Sequence, residues 1–326
     1  MEDSPTGQLH PVPRIVVCGV DGVVGGNLAL GLGERAAVHG LFFHHPVSLE
    51  GCTTAACRPH DAGDLRRQVE AASPHWIVHC GPLGRGSWDI PPEEPQAERE
   101  AGLSVTLAEI AGRVGGRLTV ISTDAVFAGP RMFHEEKSSA ASSEPFALAA
   151  RRVEQVLADR PRVLVVRTHA YGWSPRPAEP SFAERVWQHL AEGTPCRLDA
   201  HNHATPILAS DLAELLWLAY RRGLEGLYHV AGAERTSAYR FAVDLAACFG
   251  LQSSPAATAE EGAGAPGEGL LRETSLSTGR ARRELERPMP MLREGLDRFA
   301  RQAESGFRAR LRGSAPQTAW VRSDAA

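Results

Sequence analysis

Three glycines at regular spacing form the clearest chemical signal in this sequence. Gly19, Gly22 and Gly25 follow the short apolar run 15–18, and leucines at 28, 30 and 32 continue a helical pattern. The first glycine permits a tight turn, the second lets a pyrophosphate approach the backbone, and the third lets a helix pack on the strand. The helix N-terminus then points its N–H groups at the phosphates. The stretch predicts a dinucleotide site formed by Gly19, Gly22, Val23, Val24 and Gly25.

A second chemical group lies in the run LTVISTDAV at 118–126, which reads as a strand that ends in Ser122, Thr123 and Asp124. Hydroxyls and a carboxylate beside a nicotinamide could hydrogen-bond to a substrate carbonyl or hydroxyl. Ser122 and Asp124 could equally cap the turn that follows. Spacing alone leaves both interpretations open.

Both groups need a scaffold, and the rest of the chain predicts one. Apolar runs at 38–45, 76–80 and 162–168 read as further buried strands, and helical patterns separate them. This alternation predicts an α/β fold, a Rossmann-type doubly wound parallel sheet that binds ligands at the carboxyl edge of its strands. The turn at Gly81, Pro82 and Leu83 follows one of these strands, and we expect it, with Ser122, to border the cofactor.

The end of the run 38–45 is where an acidic residue would bind the ribose of NAD, or an arginine the extra phosphate of NADP. The sequence has His44, His45 and Pro46 there instead. Neither rule is met, so the choice between NAD and NADP stays open.

The chain divides by composition. We expect a disordered leader at 1–13, a dinucleotide-binding domain at 14–170 and a smaller substrate-binding part at 171–303 that packs on it. A Gly/Ala/Pro/Glu segment at 252–269 reads as a mobile loop, and 304–326 as an Arg-rich tail.

Composition excludes several classes of protein. A net charge of −4 over 326 residues gives no reason to expect a nucleic acid or an anionic membrane as partner. No apolar run approaches ~20 residues and the first residues do not form a signal peptide, so we expect a cytoplasmic protein. The six cysteines are scattered and are expected to be free thiols. Cys52, Cys57 and His60 match no standard zinc spacing, so no metal site is predicted.

The order of the landmarks resembles one family. The landmarks are the glycine triad, IVHC at 77–80, STDxVFxG at 122–129, VVRT at 165–168, TPxxxxDLA at 205–213, GLYHVAG at 226–232 and EGLDRF at 294–299. Together they resemble the extended short-chain dehydrogenase/reductases of the dTDP-4-dehydrorhamnose reductase type. The same branch includes the regulatory β subunit of methionine adenosyltransferase.

The resemblance implies a nicotinamide cofactor, NAD or NADP, and a nucleotide sugar bound over it. It also implies a catalytic Ser/Thr–Tyr–Lys set, in which Thr123 and Asp124 match the first member and its neighbour. We expect Tyr171, Phe182 and Thr205 to contact the substrate.

The sequence departs from the family at the tyrosine and the lysine. Aligned on Glu154, the YxxxK frame has Phe146 and Ala150 at the two catalytic positions. Phenylalanine lacks the proton-donating hydroxyl, and alanine lacks the ammonium that lowers the tyrosine's pKa. The only lysine in the chain is Lys137, and no tyrosine has a lysine four residues later.

Two functions therefore compete. The one we favour is a catalytically degenerate binding or regulatory protein, and the other is an active sugar-nucleotide reductase with Thr123, Asp124, Tyr171 or a water as proton donor. A homodimer or a regulatory protein partner is left open. If Phe146 and Ala150 occupy the catalytic positions, Phe146 should lie near Thr123 at the nicotinamide end of the cleft, and Ala150 should face the same cleft.

Overall fold

The computed structural model describes residues 12–58, 61–81, 84–89, 97–139, 142–257 and 273–313. Its strands are β1 Arg14–Cys18, β2 Ala37–Phe42, β3 Cys52–Ala56, β4 Trp76–His79, β5 Arg117–Thr123, β6 Val163–Thr168, β7 Ala170–Tyr171, β8 Arg197–Leu198, β9 His203–Ala204, β10 Ile207–Leu208, β11 Gly226–His229, β12 Thr236–Ser237 and β13 Ala256–Ala257. Its helices are α1 Val23–Leu32, α2 Ala62–Ala72, α3 Ala97–Val114, α4 Pro145–Leu157, α5 Phe182–Ala191, α6 Ala209–Arg222, α7 Ala238–Cys248, α8 Gly279–Leu285, α9 Leu292–Glu304 and α10 Phe307–Arg312.

Seven strands form one parallel sheet in the order β11-β6-β5-β4-β1-β2-β3. All residues of β4 and β6 are buried, as expected of strands that are covered by helices on both faces. Two apolar clusters lie against the sheet, and one of them includes α3 and α4 residues while the other includes α1 and α6 residues. The predicted Rossmann-type doubly wound fold is confirmed.

The strand β3 was not predicted from the sequence. It lies at the edge of the sheet and pairs in parallel with β2 alone. Its sequence CTTAA is only partly buried, so it carries no continuous apolar run that a sequence pattern would show.

The smaller C-terminal part shares a core with the sheet, as predicted. One continuous apolar cluster includes Leu28 of α1, Leu212 of α6, Phe241 of α7 and Phe299 of α9. The segments after β6 therefore pack on the seven-stranded sheet and share its core.

The expected tail from residue 304 begins with packed structure instead. The helix α9 extends to Glu304, and α10 follows it with Leu311 fully buried. Arg310 pairs with Glu34 and Glu50 on the sheet side. The apolar residues Phe307 and Leu311 are four positions apart on one helix face, which gives α10 a reason to pack.

Residues 1–11, most of the expected mobile loop (258–269) and residues 314–326 lie outside the described part of the chain. Within the described ranges, no helix combines the length and the apolar character needed to cross a bilayer.

Candidate functional site: a cleft over the glycine turn

The glycine turn has the geometry that its spacing predicts. Gly19 has a φ of +84°, and a Cβ on it would lie 2.5 Å from the carbonyl oxygen of Cys80. A Cβ on Gly25 would lie 2.1 Å from the carbonyl oxygen of Gly19, so α1 starts directly against the turn. A Cβ on Gly22 would meet only an ordinary contact, at 3.4 Å. Gly19 and Gly25 are therefore required by the fold, whereas the described contacts do not require a glycine at position 22.

A cleft of about 380 Å³ opens over this turn, within the usual size range of ligand sites. The first half of the chain lines it with Gly19, Gly22, Val23, Val24 and Gly81, and the second half with His169, Tyr171, Phe182 and Arg176. The cleft thus brings together most of the predicted cofactor residues with two of the predicted substrate residues. Pro82 and Leu83 lie outside the described residues.

Ser122 and Thr123 lie beneath the cleft and do not line it. The Ser122 hydroxyl donates to Glu154 Oε1 at 2.6 Å. The Thr123 hydroxyl donates to the carbonyl oxygen of Arg85 at 2.7 Å and accepts from the N–H of Ala125 at 3.0 Å. Thr123 therefore caps the short turn after β5, which is close to the capping interpretation of this pattern.

Asp124 is fully buried and forms a dense hydrogen-bond network. Its carboxylate accepts from the N–H and the hydroxyl of Ser87, at 2.9 and 2.7 Å, and from the hydroxyl of Thr274 at 2.5 Å. His169 Nδ1 lies 2.9 Å from the same carboxylate. Burial alone would raise the pKa of Asp124, but the charge of His169 and the hydrogen bonds from His169, Thr274 and Ser87 outweigh it and hold the pKa below its usual range.

The sequence analysis did not identify His169. It follows β6 directly, and its ring both meets Asp124 and lines the cleft. Its only sequence signal is its position at the carboxyl end of a buried strand, which it shares with many residues.

The segment 84–89 covers this polar centre from the cleft side. A Cβ on Gly86 would lie 2.7 Å from His169 Nδ1, and the Trp88 ring lies 4.4 Å from the His169 ring between their centroids. Trp88 also packs near Phe182 and Phe241, at centroid distances of 5.6 and 5.7 Å. Close packing of this segment on His169 therefore requires a residue without a side chain at position 86.

Phe146 and Ala150 lie in an apolar cluster between α4, α3 and the sheet, where they are 4% and 1% exposed. The structure does not place either of them among the residues that line the cleft, which differs from the sequence expectation. Neither side chain has a polar atom that needs water, and both pack against other apolar residues of the same cluster. They do share one helix face, as residues four apart must.

Glu154, the residue that sets the YxxxK frame, forms a buried ion pair one turn further along α4. Arg167 of β6 donates Nε and Nη2 to its two carboxylate oxygens, at 2.9 and 2.6 Å. Both side chains are less than a tenth exposed. This bidentate pair joins α4 to the sheet.

The predicted substrate residues differ in their exposure to the cleft. Tyr171 lines it, but its hydroxyl is buried and has no hydrogen-bond partner among the described residues. Burial, with the charge of Asp211, raises the pKa of Tyr171 well above its ordinary value. Phe182 lines the cleft and is half-buried. Thr205 is fully buried, does not line the cleft and accepts from the N–H of Leu276 at 3.1 Å.

Comparison with known proteins points to one family. The family model described as "RmlD substrate binding domain" matches residues 13–305. The β subunit of methionine adenosyltransferase 2 from Xenopus laevis is 25% identical over 260 residues, which is 75% of this chain and 74% of that protein. The Pongo abelii subunit gives the same values.

Solved structures share the fold at lower identity. A dTDP-4-dehydrorhamnose reductase from Bacillus anthracis in complex with NADP has a TM-score of 0.70 at 21% identity, and covers 88% of this chain and 98% of its own. A UDP-glucose 4-epimerase from Thermotoga maritima with UDP-glucose has a TM-score of 0.73 at 16% identity, over 90% and 99% of the two chains. An enzyme of Bordetella bronchiseptica in complex with NAD and UDP has a TM-score of 0.72 at 16% identity, over 94% and 100%.

Proposed function

Because the chain belongs to the RmlD substrate binding domain family, we propose that it binds NAD or NADP at the glycine turn and a nucleotide sugar in the adjoining cleft. We further propose that it reduces ketones poorly and serves mainly as a binding or regulatory protein. The observation that carries this proposal is the lining of the cleft, which among the described residues includes no lysine and a single tyrosine, Tyr171, whose hydroxyl is buried.

Cofactor binding is supported by the residues of the turn itself. Val23 and Val24 begin α1 and line the cleft beside Gly22, and the free N–H groups at a helix N-terminus favour a pyrophosphate. The related structures named above hold NADP, NAD, UDP or UDP-glucose. A bound nicotinamide would supply the hydride, so what the chain itself must add is a proton for the substrate oxygen.

That proton is what this chain is poorly equipped to supply. Lys137, the only lysine in the sequence, is exposed in a loop before α4. Of the four tyrosines, Tyr171 alone lines the cleft, and its hydroxyl is buried with a raised pKa. The loss of a positioned general acid typically lowers a rate by ~10²–10⁴. The proposed protein therefore retains ligand binding and loses most of its turnover.

A regulatory role is supported by the curated relatives. They are named as subunits of methionine adenosyltransferase, and this chain covers about three quarters of their length. A protein that holds a dinucleotide without consuming it could report cofactor occupancy to a partner chain.

The test is a titration followed by a turnover assay. Nicotinamide fluorescence during titration with NADH and NADPH measures binding, and absorbance in the presence of a dTDP-4-dehydro sugar measures oxidation. We expect saturable binding and a turnover below ~10⁻² s⁻¹, about 10²-fold under the lower end of the ~1–10³ s⁻¹ that is usual for enzymes. Gly22→Val is the matched variant and should lose binding while it stays folded. Absence of binding to either dinucleotide at millimolar concentration would refute the cofactor proposal.

One observation favours an active reductase as a second candidate. Asp124 can accept the Nδ1 proton of His169, which would support a proton on Nε2, and the same ring lines the cleft. On arrival of a hydride at the carbonyl carbon, Nε2 would give its proton to the carbonyl oxygen. For this candidate we expect His169→Gln to lower turnover by about 10² or more while the dissociation constant of NADH is unchanged.

A further inference from the structure

Asp21 lies inside the glycine turn, between Gly19 and Gly22, and is 6% exposed. Its carboxylate accepts three backbone N–H groups in succession, from Phe43 at 3.3 Å, His44 at 2.9 Å and His45 at 3.2 Å. These are the three residues that follow β2, which the sequence had predicted to belong to the strand. The strand ends at Phe42, and the next three N–H groups point to the carboxylate.

The end of β2 is where this class of fold distinguishes its dinucleotides, since an acidic residue there binds the ribose hydroxyls of NAD. The sequence has no acidic residue after β2, but the fold brings one to that place from the glycine turn. We propose that Asp21 makes this chain select NAD(H) over NADP(H). Its carboxylate occupies the backbone N–H groups that a ribose 2′-phosphate would otherwise use. The inference rests on the proposed dinucleotide binding.

The hydrogen-bond capacity of the carboxylate fits this role. An ionised carboxylate offers about four acceptor positions, and backbone groups use three of them. One remains for a ribose hydroxyl, which can donate. A phosphate ester at the same place has only acceptor oxygens and a negative charge. It would face a negative carboxylate, and the three backbone N–H groups nearby already donate to that carboxylate.

The neighbouring charges do not reverse this preference. Arg176 lines the cleft beside Asp21 and donates Nε to the Asp21 carbonyl oxygen at 2.9 Å. Its guanidinium is paired with Glu179, and His45 Nε2 also lies 3.3 Å from that glutamate. The positive charge of Arg176 is thus already matched by Glu179, and the carboxylate of Asp21 keeps its own charge.

The test compares dissociation constants of NADH and NADPH for the wild-type protein at one ionic strength, from fluorescence titration or calorimetry. We expect NADH to bind about tenfold tighter or more, the equivalent of about 1.4 kcal/mol. Asp21→Asn removes the charge with little change of shape, and the ratio should fall towards one, mainly through tighter NADPH binding. Asp89→Asn is the matched control. It removes the same charge from the same cleft, at a carboxylate paired with Arg185, and should leave the ratio unchanged.

The outcomes separate the two proposals. If the wild-type protein binds neither dinucleotide, the proposed function fails. If it binds NADPH as tightly as NADH, or more tightly, cofactor binding stands and the role of Asp21 is refuted, with Arg176 then the group that accepts the phosphate. The wild-type ratio decides this even if Asp21→Asn does not fold. If a folded Asp21→Asn protein keeps the wild-type ratio of the NADPH and NADH dissociation constants, Asp21 is not the residue that selects NADH.

Discussion

Ala150→Lys tests whether the catalytic frame of this chain faces the cleft or the core. Ala150 is 1% exposed and lies in the apolar cluster with Phe146 and Val153 of α4. A lysine there cannot keep its ammonium in water unless α4 moves away from the cluster. We expect the substitution to destabilise the protein strongly, although it restores the family's residue.

The magnitude follows from the lysine's own titration. A buried lysine in an apolar site loses its proton, and neutralising a group of ordinary pKa ~10.4 at pH 7 costs about 4–5 kcal/mol. The folded-state pKa of this lysine is depressed below the unfolded value. The penalty is therefore about 4–5 kcal/mol at pH 7 and shrinks by about 1.4 kcal/mol for each pH unit as pH rises to ~10.

Urea unfolding of the Ala150→Lys protein at pH 7 and at pH 9 measures this penalty. Ala150→Met is the control, because it adds a chain of similar length without charge and should cost about 1–3 kcal/mol at both pH values. A lysine penalty that is no larger than that of methionine and does not change with pH would refute the reasoning. Ala150 would then reach solvent in the cleft, and Phe146→Tyr with Ala150→Lys would be expected to raise reductase turnover.

Three further predictions concern stability and the glycine turn. Glu154→Ala leaves the buried guanidinium of Arg167 without its carboxylate and should cost about 3–5 kcal/mol in urea unfolding; a loss under about 1 kcal/mol would contradict the buried ion pair. Burial lowers the pKa of His79 to about 4. The free energy of unfolding should therefore fall by about 3 kcal/mol as pH falls from ~6.5 to ~4, because only the unfolded chain takes up the proton in this range. His79→Gln should flatten the dependence of the free energy of unfolding on pH. If the dependence is unchanged, other groups cause it. Gly25→Ala should lower the melting temperature, because its Cβ would meet the Gly19 oxygen at 2.1 Å, whereas Gly22→Ala should not; equal melting temperatures would contradict this geometry.

Local sequence patterns were sufficient for most of the fold. The strand–turn–helix at Gly19, Gly22 and Gly25 depends on residues that are close in sequence, and the apolar runs 76–80 and 162–168 predicted two strands within a residue of their observed bounds. The edge strand β3 was missed because an edge strand needs no continuous apolar run. The helix α10 was missed because its only two apolar residues, Phe307 and Leu311, lie in a short Arg-rich segment and are too few to show a helical pattern.

The polar centre of the site could not be predicted in the same way. Asp124 meets His169 and Thr274, which are 45 and 150 residues later in the chain. Asp21 meets N–H groups that are 22 to 24 residues away, and backbone groups carry no signature in the sequence. The alignment on Glu154 placed Phe146 at a catalytic position, but whether that position lines the cleft depends on how α4 packs against α3 and the sheet. These features are set by tertiary contacts, and no periodicity in the sequence records them.

Dinucleotide binding with poor ketone reduction, as proposed for this chain, can be measured in one experiment. The most direct measurement is single-turnover oxidation of bound NADH, followed by absorbance, after mixing with a saturating dTDP-4-dehydro sugar. We expect NADH to bind saturably and to be oxidised more slowly than ~10⁻² s⁻¹, which is about 10²-fold below the lower end of the ~1–10³ s⁻¹ that is typical of enzymes. Oxidation within that typical range, by wild-type protein and lost in Gly22→Val, would contradict this expectation and make the chain an active reductase.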